Sequence, residues 1–138
     1  MAQSFSAQID AWVHKVEGAI EAVFRESVQE LVSQMQALVP VDTGFLRASL
    51  RASTTAMPVL SLDNPGGTFT PDYGQIELVI MAADVGETIY LGYTAKYGAY
   101  VHYGAGGRPP RPWVDMVAQR WQAIVAEKVA ELKARLGL

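Results

Sequence analysis

Few residues in this chain could carry chemistry. The most suggestive are Asp42-Thr43-Gly44, set in VPVDTGFLRASL (Val39 to Leu50). Asp-Thr-Gly is how an aspartic protease presents its catalytic aspartate. That chemistry needs two carboxylates about 3 Å apart sharing one proton, so a single triplet would have to act as a homodimeric hydrolase. It also needs the triplet on a loop leaving a β-strand, with a small residue next. Here a helical pattern runs almost up to it, Pro40 precedes Asp42 by two residues and bulky Phe45 follows Gly44. The residue types favour a turn, in which Asp42 accepts backbone N–H groups and Gly44 supplies the turn geometry.

The other candidates are weaker. His14 and His102 are the only histidines. His14 has no second ligand at metal-binding spacing, and His102 lies in KYGAYVHYG without a Ser-His-Asp arrangement. Tyr97, Tyr100, Val101 and Gly104 read instead as packing residues of a short helical turn. GAGGRPPRP (Gly104 to Pro112) lacks the Gly-Lys-Ser/Thr ending of a phosphate loop, so it reads as a stiff connector. Its Arg108 and Arg111, with Arg47 and Arg51, could reach carboxylates or DNA phosphates. No catalytic centre, metal site, cofactor site or small-molecule substrate is expected.

The elements that would position these residues follow from periodicity. Apolar residues recur at Phe5, Ile9, Trp12, Val16, Ile20, Val23, Phe24, Leu31, Met35 and Leu38, which predicts one helix over 4–39. Ser4 or Ser6 can cap it, Glu21 and Arg25 are spaced for an ion pair, and Pro40 ends it. Such a helix approaches 50 Å, too long for a small sheet to cover, so part of its stripe should meet another subunit. LRASLRAS alternates with period two, predicting a capped turn from Asp42 and a strand by about Ser49. Gln75–Ala82 and Glu87–Thr94 read as a hairpin about Asp84-Val85-Gly86. Between them, Met57 to Gly74 is dense in Pro and Gly and reads as a long projecting loop, with a short strand at Val59 to Leu62. A second helix spans 112–136, with Pro112 in its first position. Its apolar stripe runs through Trp113, Met116, Val117, Trp121, Ile124, Val125, Leu132 and Leu136. Lys133 and Arg135 suit its C-terminal dipole, and Gly137 can close it. The order predicts a single α+β domain over 1–138, with long N-terminal and C-terminal helices packed on a small antiparallel sheet.

Composition bounds the rest. The 138 residues are half apolar, carry a net charge of −3 and include no cysteine. Disulfides and thiolate metal ligands are excluded, and a generic phosphate-binding surface is disfavoured. MAQSFSAQIDAWVHK has no basic region followed by an apolar run, so a secretory signal is not expected. No apolar stretch approaches the ~20 residues of a membrane span.

Two stretches taken together say more than any single motif. PVDTGFLRASL follows the long helix, and YGAYVHYGAGGRPPRPWVDMV (Tyr97 to Val117) introduces the last one. The pairing resembles the neck or tail-completion family of long-tailed bacteriophages, a minor tail component. That family's pattern is Pro-x-Asp-Thr-Gly-x-Leu-Arg-x-Ser, then Tyr-Ala-x-Tyr-Val-Glu-x-Gly, then Arg-Pro-Phe before the C-terminal helix. Pro40, Asp42, Thr43, Gly44, Leu46, Arg47 and Ser49 match the first block. Tyr97, Tyr100, Val101, Gly104, Arg111 and Pro112 match the others, with Trp113 in place of phenylalanine. His102 stands where glutamate is usual and Gly98 where alanine is common, which removes the carboxylate of any family ion pair, such as one with Arg47.

The resemblance implies a non-enzymatic virion protein at the head–tail junction, assembled in the host cytoplasm as a ring, by analogy a hexamer. Its partners would be copies of itself and adjacent head-closure, neck or tail-tube proteins, with DNA passing through the channel. A tail terminator that ends tube polymerisation is the neighbouring alternative.

Overall fold

The computed structural model describes residues 4–41, 44–60, 69–104 and 106–137. The fold is mixed α+β, with a long N-terminal helix packed on a C-terminal helix and a two-stranded antiparallel sheet. The elements are α1 (Phe5–Leu38), α2 (Phe45–Ala48), β1 (Leu50–Ser53), α3 (Tyr73–Ala82), β2 (Tyr90–Tyr93), α4 (Gly98–Tyr103), α5 (Trp113–Ala118) and α6 (Trp121–Leu136).

Helix α1 forms as its periodicity predicts. Ser4 Oγ accepts the Ala7 N–H at 3.2 Å, and Glu21 pairs with Arg25 at 2.9 Å. Its fully buried residues, Ser27, Val28, Val32, Met35 and Gln36, all lie in the C-terminal half. Phe5, Ile9, Trp12 and Ile20 of the same stripe are exposed. The helix outruns the rest of the chain, as its length suggested.

The middle of the chain departs from expectation. Gln75–Ala82 is not a strand but the body of α3. Its apolar run satisfies period two at 76, 78 and 80 and the helical period at 76, 79 and 80 alike. The Asp72 side chain decides, by accepting the Gln75 N–H at 3.1 Å and starting a helix. The hairpin expected there is therefore absent, and β2 pairs instead with β1, in the register Leu50 to Tyr93 and Ser53 to Tyr90. Gln75 then stands in for a third strand. Its amide donates to Ala52 O at 2.7 Å and accepts from Ala52 N at 3.1 Å, which satisfies the open edge of β1. Tyr73 and Gly74, assigned to the long loop, belong to α3. Val59 and Leu60 are irregular rather than a strand, while Ser61 and Leu62, and the loop through residue 68, lie outside the described residues.

The C-terminal helix expected over 112–136 is divided. An Arg120 N–H to Val117 O bond of 2.9 Å tightens the chain between α5 and α6, and carries the Arg120 guanidinium to Gln34 at 2.7 Å. Pro112 caps α5 one residue outside the position expected, and Met116 of the predicted stripe is exposed. Gly137 closes α6 at φ 69°. The core gathers Val28, Val32 and Met35 of α1, Phe45 and Leu46 of α2, Leu50 of β1, Ile76 and Ile80 of α3, and Trp113 and Val117 of α5.

The helical assignment of α3 is testable. Ile80 is 1% exposed and Leu78 is 74% exposed. Ile80→Ala is expected to lower stability by about 2–4 kcal/mol, and Leu78→Ala to change it by less than about 0.5 kcal/mol, in urea denaturation. Comparable losses at both positions would indicate a strand, in which 76, 78 and 80 share a face.

Candidate functional site

The two motif blocks, about fifty residues apart in sequence, meet in space. Gly44 adopts φ 85°, a left-handed conformation that glycine takes readily, directly before α2. Phe45 is buried between the rings of Phe69 and Tyr97, with centroids at 4.9 and 6.0 Å. A Cβ on Gly98 would lie 3.2 Å from Leu46 Cδ1, so the start of α4 rests directly on buried Leu46. Ser49 Oγ donates to Leu46 O at 2.6 Å, and Ser49 O accepts both Thr94 N–H and Thr94 Oγ1, at 3.0 and 2.7 Å. Pro40 is half-buried at the exit of α1. Asp42 and Thr43 lie outside the described residues, and so does the cap expected of Asp42. The described residues around them place a helix before the triplet and another directly after it, and a strand on neither side.

The second block closes around Gly104, which has φ 83° and ends α4. A Cβ there would stand 2.9 Å from both Arg108 O and Pro110 N, so only glycine lets the connector fold back so closely. Arg111 N–H then bonds to Val101 O at 3.0 Å, and Arg111 O accepts Trp113 N–H at 2.9 Å. Through these bonds the Arg-Pro-Trp segment delivers Trp113 into the core, against Tyr93 at 5.2 Å. Tyr97 and Val101 are half-buried, as packing residues should be. Tyr100 departs from that expectation, being 66% exposed. His102 is buried against Tyr103 and Trp113, and neither ring nitrogen makes a hydrogen bond. The Asp115 carboxylate lies 3.7 Å from its Nε2.

Sequence reasoning missed the residue that joins these parts, Gln36. Its Nε2 donates to Arg47 O at 2.9 Å and reaches Tyr73 Oη at 3.4 Å, while its Oε1 accepts the Tyr93 hydroxyl at 2.7 Å. The available signal was a polar residue at a core position of α1, four after Val32. Beside this cluster, Gln29, Val32, Ser33, Gln36, Arg47, Tyr73, Ile76 and Glu77 line part of an open groove of about 470 Å³ between α1 and α3. Arg47 Nε is buried there with no hydrogen-bond partner.

Among the described residues no three metal-ligating side chains gather, and no helix is long and apolar enough to cross a membrane. Arg51, named among the residues that could meet phosphates, instead donates to Ala48 O and Leu50 O, at 2.9 and 2.8 Å. Arg108 and Arg111 remain exposed.

Two outcomes follow for the buried cluster. Gln36→Leu leaves the Tyr93 hydroxyl unsatisfied and Tyr93→Phe leaves the Gln36 oxygen so. Each should cost about 1–3 kcal/mol, with a double variant less destabilised than the sum. A double-mutant cycle in urea checks this, and strict additivity would refute the contact. Burial also pushes the Tyr93 phenol far above its ordinary 10.0, outweighing the opposing pull of Trp113 and Arg47. Below that value both folded and unfolded chains keep the proton. Above it only the unfolded chain releases it, so stability falls as pH rises from about 10. Tyr93→Phe should lack this share of the alkaline loss in stability measured against pH.

Compared with family models, curated proteins and solved structures, the chain matches none.

Proposed function

We propose that this chain is a non-enzymatic structural subunit of the neck or tail-completion assembly of a long-tailed bacteriophage or prophage. It would stand at the head–tail junction and act by protein–protein contact in a ring. The observation that carries the reading is the convergence of the two motif blocks. Leu46 and Ser49 of the first are fastened to Thr94 and Gly98 beside the second, through the contacts at Gly98 and Thr94. Residues that match a family pattern in order are thus joined in one compact unit, held by packing and backbone hydrogen bonds. That convergence supports a motif that specifies a shape. The exposed apolar half of α1 supplies the surface that an assembling subunit needs.

Purified virions of the parent phage test the reading. The chain is expected in intact particles by mass spectrometry, and loss of its gene should leave filled heads and tails of normal length unjoined. Tails of uncontrolled length would assign it to the tail terminator instead. Absence of the chain from intact particles would overturn both.

A further inference from the structure

Two exposed surfaces of this chain lie too far apart to cover each other. The first is the N-terminal arm of α1, where Phe5, Ile9 and Trp12 fall at i, i+4 and i+7, the spacing by which a helix seats its anchors on a partner. All three face solvent. Helix α6 stops short of them, its Leu136 O accepting from Lys15 Nζ at 3.3 Å. Asp10 and Glu17 run along one flank of the arm with exposed Val13 between them, while Lys15 stands on the other. Glu17 meets exposed His14 at 4.0 Å, a weak pairing.

The second surface is built where the connector folds back on α4. Tyr100 and Tyr103, three apart, share one face of α4 and are 66% and 74% exposed. The bond from Arg111 N–H to Val101 O, and the close fit of Arg108 O against Gly104, hold the connector beside them. Pro109, Pro110 and Pro112 fix φ, so the backbone that carries Arg108 and Arg111 is stiff. Both arginines are exposed, and neither guanidinium meets an acceptor among the described residues. Other arginines are tied, Arg25 to Glu21, Arg120 to Gln34 and Arg135 to Glu26. Asp115, set against His102 at 3.7 Å, offsets one of the two free charges and not both.

Charge and spacing match these surfaces to each other. Asp10 and Glu17 stand about 10.5 Å apart along the helix, and Arg108 and Arg111, three residues apart, span at most about 11 Å. A guanidinium binds a carboxylate through paired hydrogen bonds, and an exposed tyrosine pair offers rings on which Trp12 can pack. Within one chain the two cannot meet. Gln34, which holds Arg120 just beyond α5, lies about 38 Å from Ile9 along unbroken α1, and α5 is only about 9 Å long.

We propose that the arm of α1 in one copy docks on the α4–connector surface of the next. Asp10 and Glu17 meet Arg108 and Arg111, and Trp12 meets the tyrosine pair. This names the subunit contact that the ring-forming reading requires, and rests on that reading. The contact joins two different patches, so it is head-to-tail, and repetition gives a ring where the rotation closes.

Sedimentation velocity of the full chain across a concentration series tests it. The wild type should self-associate, and less so as salt rises. Trp12→Asp in the arm, or Arg108→Glu together with Arg111→Glu in the connector, should each weaken association by about 30-fold or more. These positions are exposed, so helical content by circular dichroism should not change. Adding Asp10→Arg and Glu17→Arg to the connector pair reverses both sides, and should restore association. Three results would overturn the docking: a wild type monomeric to its solubility limit, a connector variant that associates like the wild type, or a doubly reversed variant no stronger than the connector pair alone. Phosphate is the rival acceptor. Duplex DNA binding that the connector substitutions abolish while self-association persists would assign the arginines to nucleic acid instead. Virions containing the chain alongside any of these would leave the neck reading standing and remove this contact alone.

Discussion

A carboxamide inside a hydrophobic core must find partners for its donors and its acceptor, and Gln36 finds them on three different elements. It bonds to the backbone of α2 at Arg47, to the phenol of Tyr73 on α3 and to that of Tyr93 on β2. An unsatisfied buried amide would be costly, so this one side chain of α1 fixes where the three elements converge. The apolar core then closes around the same point. Leu50 pairs with Tyr93 across the sheet, Trp113 packs on the Tyr93 ring, and Ile76 and Ile80 belong to the same buried cluster. The sheet has only two strands and would be marginal alone. Gln75 extends it by bonding to both backbone groups of Ala52, so α3 serves as lid and as third edge together.

The result is a long helix with its folded unit concentrated toward one end. The motif blocks lie in that unit, where Leu46, Gly98, Ser49 and Thr94 form the joint between α2, the sheet and α4. Among the described residues no three side chains of the kind that hold a metal gather there or elsewhere.

The sequence was most legible where one local rule acted alone. Helix α1, its Ser4 cap, the Glu21–Arg25 pair, β1, the turn of α4 and the closing Gly137 all follow from spacing or from a single capping residue. It was least legible where two rules competed or where the partner was distant. QIELVIMA satisfies both periods, and only Asp72 just ahead of it tips the balance to a helix. The pairing of β2 with β1 spans forty residues, and the nearer apolar run offered a false partner. Tyr100 looked like a packing residue because its neighbours Tyr97 and Val101 are, yet it lies on the exposed side of α4. Gln36 left only the trace of a polar residue at a core spacing. The Arg47 groove left none, since it exists only once α3 is known to be a helix.

The most direct test of the account is a cryo-electron microscopy reconstruction of the head–tail junction at side-chain resolution. The account predicts a ring of this chain at the junction, with the exposed Phe5, Ile9 and Trp12 of each subunit covered by a neighbouring protein. A junction without this chain, or a ring that leaves Phe5, Ile9 and Trp12 in solvent, would contradict it.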